Sequence, residues 1–75
     1  MMLFYPNSDS CPSHIAECIS EMRYRKHTAQ TMKRIRTTYD SLQLFMDCVI
    51  LTYEANDWTL DSKERAFFRK EFKSS

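Results

Sequence analysis

Apolar positions along this chain fall into three series, each at helical spacing. The first is Ile15, Cys18, Ile19 and Met22, the three-and-four rhythm of one helix face. The second runs Met32, Ile35, Tyr39, Leu42, Met46, Val49 and Tyr53. Its steps alternate strictly between three and four, the seam of a helical hairpin or coiled coil. Phe45, Ile50 and Leu51 widen that seam into a face suited to a small bundle. The third series is Phe67, Phe68 and Phe72. It follows Asp61 and Glu64, spaced as a capping box with Asp at the cap. Helices are therefore predicted over residues 12–25, 29–55 and 61–72.

The first two faces do not align. At about 100° per residue, their centres differ by roughly 130°, far more than the ~20° per heptad of supercoil drift. A chain break between Tyr24 and Thr31 removes the conflict. Arg23, Arg25, Lys26 and His27 suit the negative end of a helix dipole, and Thr28 suits the cap of the next helix. Ahead of the first helix, residues 1–10 read as an extended arm with turn chemistry at Pro6-Asn7-Ser8-Asp9. Pro12 fits a first helical turn, with Ser10 or Cys11 as its cap. The expected fold is all-α: one domain over residues 1–75, a hairpin of two main helices, a shorter third helix and the arm.

Composition supports this and removes several functions. The chain has no Gly and only two Pro. Gly serves tight hairpin turns and phosphate-cradling loops, so its absence argues against a β-rich fold and excludes any Walker or dinucleotide fingerprint. Leu, Ile, Val and Phe total 15 of 75 residues. A core this small supplies only ~3–5 kcal/mol without a staple or partner, which points to a homodimer or a bound partner. The longest apolar stretch, around residues 42–53, is interrupted by Gln43, Asp47, Cys48 and Thr52, too short and too broken for a membrane span. The first residues lack the basic and apolar regions of a signal peptide. Three Cys is an odd number, and reduced thiols in the cytoplasm are expected.

Charge changes the picture more. Residues 22–39 hold Arg23, Arg25, Lys26, Lys33, Arg34 and Arg36 and no acid. Residues 37–62 hold Asp40, Asp47, Glu54, Asp57 and Asp61 and no cation. The net charge of +1 conceals this sorting. Segregated charge speaks to partners and association. The six cations are candidate contacts for an anionic protein or for nucleic acid.

Cys11, His14 and Cys18 share one helix face at steps of three and four, and Cys48 offers a fourth ligand for zinc. The spacing matches no established zinc pattern, so no metal or cofactor is expected. Cys with His is also the minimal thiol-enzyme pair. A helical hairpin of this size offers little concavity for a substrate, and no catalytic residue is assigned. The sequence reads as a non-enzymatic protein-interaction or regulatory module, acting as a dimer that modulates a partner protein. Its apolar interface is expected at Met32, Ile35, Tyr39, Leu42, Met46, Val49, Tyr53 and Trp58. The alternative is a small DNA- or RNA-binding regulator using residues 23–36.

Overall fold

Pro12 opens the first helix without a side-chain cap. The computed structural model describes residue 4 and residues 11–74. The expected arm, Phe4 excepted, and the Ser10 cap lie outside the described residues. Helix α1 spans Ser13–Arg23 with Pro12 at its N-cap, and the Pro12 carbonyl accepts from the Ile15 and Ala16 N–H groups. A proline is tolerated here because the first N–H groups of a helix have no intrahelical partner.

The chain breaks after α1, as the face mismatch predicts. Arg25 N–H donates to the Met22 carbonyl (2.9 Å) and Lys26 N–H to Glu21 (3.1 Å). This pair of bonds is a Schellman motif, whose C′ residue adopts a left-handed conformation. Glycine usually sits there; here Arg25 does, at φ 60°. Helix α2 covers Thr28–Arg36, with His27 rather than Thr28 at the N-cap position and no side-chain cap bond.

The predicted helix over 29–55 is two helices. Helix α3 covers Leu42–Ala55, so the long seam is interrupted after Arg36. The Thr37 hydroxyl donates to the Arg34 carbonyl (2.6 Å). Ser41, in extended conformation, accepts from Leu44 N–H (3.4 Å) and caps α3. A continuous 27-residue helix would be about 40 Å long. The molecule's largest extent is 27 Å, and α2 instead folds back so that α4 reaches it. Tyr39 stays buried in the turn, which is why the three-and-four spacing runs unbroken across a real break.

Helix α4 covers Ser62–Ser74, and the Asp61 carboxylate accepts from Glu64 N–H (2.9 Å), the cap anticipated from sequence. Among the described residues the count is thus four helices, not two principal ones and a shorter third. Helix α1 packs on α2 and α3, and α4 packs on the same pair. Phe45 stacks on Phe72 (ring centroids 5.2 Å) and meets Phe68 edge-on, and Tyr53 meets Phe68 edge-on (5.8 Å). Such pairs add roughly 0.5–1.5 kcal/mol each beyond their buried area.

Cys11 and Cys48 form a disulfide, with Cα atoms 5.1 Å apart. This corrects the expectation of reduced thiols. Fixing the start of α1 to the middle of α3 brings the two sulfurs together, and the Thr52 hydroxyl lies 3.6 Å from the Cys11 sulfur. Closing a loop across a separation of 37 residues removes about 4 kcal/mol of unfolded-state entropy in the chain-entropy model. Among the described residues, no helix is long and apolar enough to cross a membrane.

Candidate interaction surface

Six of the eight residues expected at an apolar interface are core residues of the single chain. Met32, Ile35, Tyr39, Met46, Val49 and Tyr53 are buried. Leu42 and Trp58 are partly buried against that core. Trp58 closes its end, edge-on to Tyr53 (5.5 Å) and Tyr24 (6.5 Å).

Three of the six cations in the basic block make contacts within the chain, Arg25 and Arg36 from exposed positions. Arg23 lies over the Trp58 ring at 4.3 Å. The Arg25 guanidinium sits 3.7 Å above Phe67, contacts the Glu64 carboxylate (3.3 Å) and donates to the Met22 and Arg23 carbonyls. Arg36 donates to the Phe72 carbonyl (2.7 Å) and covers the Phe72 ring, a cation at the negative end of α4. Arg34 stands 3.9 Å from Glu21, its side chain 61% exposed. Lys26 and Lys33 are exposed.

Glu64 gathers these contacts. Its carboxylate accepts from the buried Tyr53 hydroxyl (3.1 Å) as well as from Arg25. The Tyr53 phenol is pushed well above its ordinary value of 10.0 by burial first, then by the charge and hydrogen bond of Glu64. Arg23 and Arg25 oppose the shift. This constellation joins the end of α1 to α3 and α4, so it is a structural joint.

The Cys-His grouping does not assemble. Cys11 is bonded to Cys48, His14 is exposed on α1 and Cys18 is a buried thiol. Desolvation raises the Cys18 thiol above its ordinary value, with Arg34 opposing and Glu21 and Glu17 adding to it; a raised thiol is a poor nucleophile. Among the described residues, no group of three potential ligands faces a common point.

The surface that stands out is the groove between α3 and α4. Phe45 lies beside Phe72 and Tyr53 beside Glu64, so the two helices run antiparallel. Leu42, Met46 and Ile50 form the floor, one per turn along α3. Arg65, Arg69 and Lys73 form the wall at the same spacing along α4, and Gln43 completes a groove of about 540 Å³. None of the three cations has an ion-pair partner among the described residues. A second, smaller hollow of about 330 Å³ lies beside Lys33, Ala29, Glu71 and Ser74, with no apolar floor of comparable length.

The sequence signal for the groove is the i, i+4, i+8 run of cations at 65, 69 and 73. It is easily passed over, because Glu64, Glu71 and the apolar phenylalanines are interleaved with it. Comparison with family models, with curated proteins and with solved structures yields no match.

Proposed function

We propose that this chain is a non-enzymatic helical interaction module that associates with protein through the α3–α4 groove, acting as a dimer that modulates a partner protein. One observation carries the reading: an apolar floor and a row of unpaired cations run in parallel for two turns. An amphipathic helix with an acidic edge is complementary to that surface, its apolar stripe on Leu42, Met46 and Ile50 and its carboxylates along Arg65, Arg69 and Lys73. Charge of this kind sets orientation and on-rate more than affinity.

The nucleic-acid alternative is less well supported. Arg23, Arg25 and Arg36 are engaged within the chain, which leaves Lys26, Lys33 and Arg34 of the original block for phosphate. The cytoplasmic setting also sits uneasily with the Cys11–Cys48 bond, since disulfides are rare where thiols are kept reduced.

The test is fluorescence anisotropy with a labelled, designed helical peptide carrying Leu at i, i+4 and i+8 and Glu along one edge. The wild-type chain, at low micromolar concentration, should bind it, and the R65E/R69E double variant should not. A peptide with Lys in place of Glu is the control. Equal binding of both peptides, or none, overturns the reading. Tight binding of a duplex oligonucleotide that weakens steeply with salt would favour the alternative.

A further inference from the structure

The groove has two edges, and they carry opposite charge. One edge is the wall on α4, with Arg65, Arg69 and Lys73. The other is the rim of α3 beyond the apolar floor. At about 100° per residue, Gln43, Asp47 and Glu54 fall within an arc of about 40°, centred roughly 80° from the middle of the floor residues Leu42, Met46 and Ile50. Phe45, which stacks on Phe72 of α4, lies about 100° to the other side of that floor. The floor is therefore flanked by α4 on one side and by the two acids on the other. Gln43 lines the groove, and its amide donates to the Asp47 carboxylate (3.0 Å), which ties that acid to the rim.

The rim acids lack counter-charges within the chain. Helix α3 contains Asp47 and Glu54 and no cation. Neither acid has an ion pair among the described residues, so none bridges the two edges and the floor stays open between them. Glu54 is exposed in the last turn of α3, where the helix dipole disfavours an acid. A local conflict of this sort makes sense when a partner resolves it.

Resting on the reading of the groove as an association surface, we infer that its occupant is a partner protein's amphipathic helix whose two edges differ in sign. Acids line the edge that faces Arg65, Arg69 and Lys73. Bases line the edge that faces Asp47 and Glu54. Those two acids are seven residues apart, about 10.5 Å along a helix axis, so the matching bases stand at i and i+7. A helix turned end for end on the same apolar stripe exchanges its edges. Opposed signs therefore hold the partner in one direction along the groove. The same rim repels a helix that is acidic on both edges, and it repels the phosphates of a duplex. The cationic wall attracts and the acidic rim discriminates.

Three labelled helical peptides test this by fluorescence anisotropy, with the helicity of each protein variant followed by circular dichroism. All share the Leu stripe and the Glu edge, and they carry Lys, Gln or Glu at i and i+7 of the opposite edge. The wild type should bind them in the order Lys, Gln, Glu, with the first favoured over the last on the order of tenfold. D47K/E54K should be folded and should reverse the order. E17K/E21K makes the same change in net charge on α1, away from the groove, and should keep it. Equal wild-type affinity for the Lys and Glu peptides overturns the inference, as does an order unmoved by D47K/E54K or reversed by E17K/E21K. In each of those cases, binding that is lost in R65E/R69E leaves the groove reading standing. A wild type that binds none of the three overturns both.

Discussion

Among the described residues, three without glycine's freedom hold left-handed backbone: Arg25 (φ 60°), His27 (φ 48°) and Asp57 (φ 56°). Asp57 repeats at the end of α3 what Arg25 does at the end of α1. Asp57 N–H donates to Glu54 (3.2 Å), and Trp58 N–H donates to Tyr53 (2.9 Å). The conformation costs a non-Gly residue roughly 1–2 kcal/mol, and the two sites should respond differently to its relief. Asp57 is exposed and its side chain makes no bond among the described residues, so Asp57→Gly should stabilise by about 1 kcal/mol. That corresponds to a melting-temperature gain of about 4–8 °C in a chain of this size. Arg25→Gly removes the Glu64 bridge and the Phe67 contact as well, and should give no gain; thermal melts of both variants check this. Tyr53 bears on pH. Its folded-state value lies above 10.0, so its contribution is complete below pH 10 and is lost as pH rises through the raised value, where the unfolded chain releases a proton that the folded chain keeps. Urea midpoints should fall between about pH 8 and pH 11, and less so in Tyr53→Phe. Tyr39, raised by burial, and Cys18 keep a residual slope in that variant.

At the scale of helices, what was readable followed from local chemistry. Asp61 was legible as a cap because its partner, Glu64 N–H, is three residues away, and the break near residue 25 was legible because two apolar faces disagreed. The break at 37–41 hid because Tyr39 fills the core from a turn, in phase with its helical neighbours. Its only local traces were the β-branched pair Thr37-Thr38, which helices disfavour, and Ser41, a good cap residue. The groove was hidden for another reason: its floor and wall belong to different helices, and nothing in sequence brings Leu42 beside Lys73. At α1, Pro12 itself takes the N-cap position, where the sequence pointed to Ser10 or Cys11 as the cap and Pro12 in the first turn. If the two side-chain caps define their helices, their loss should scale with bond geometry. Asp61→Ala, which breaks a 2.9 Å charge-assisted bond, should cost about 1–2 kcal/mol. Ser41→Ala, at 3.4 Å, should cost about 0.5–1 kcal/mol. The sites lie on separate helices, so the double variant should be close to additive, as read from denaturant midpoints.

For the molecule as a whole, a 75-residue chain must stabilise a small core, and the sequence argued that it needs a staple or a partner. The structure contains the staple. The Cys11–Cys48 bond joins the entrance of α1 to α3, and the Asn56 side chain, at the C-cap of the same helix, holds Phe4. The Asn56 amide donates to the Phe4 carbonyl (2.7 Å) while its oxygen accepts from Phe4 N–H (2.8 Å). Phe4 and Cys11 are thus fixed at the end and the middle of α3. If the disulfide contributes about 4 kcal/mol, a large share of a stability of roughly 0.05–0.15 kcal/mol per residue, reduction should bring the chain near its unfolding midpoint at room temperature. Cys11→Ser/Cys48→Ser should behave alike with and without reductant. Alkylation followed by intact mass reads the bond directly. Without reductant, the native protein should take up no label, because Cys18 is buried, and the denatured protein should take up one. Reduced and denatured, it should take up three. Three labels without reductant would mean that the staple is absent. Stability would then have to come from association, and the melting temperature would rise with protein concentration, since association stabilises by mass action. The two sources of stability are therefore separable: reductant sensitivity belongs to the disulfide, and concentration dependence to the proposed self-association.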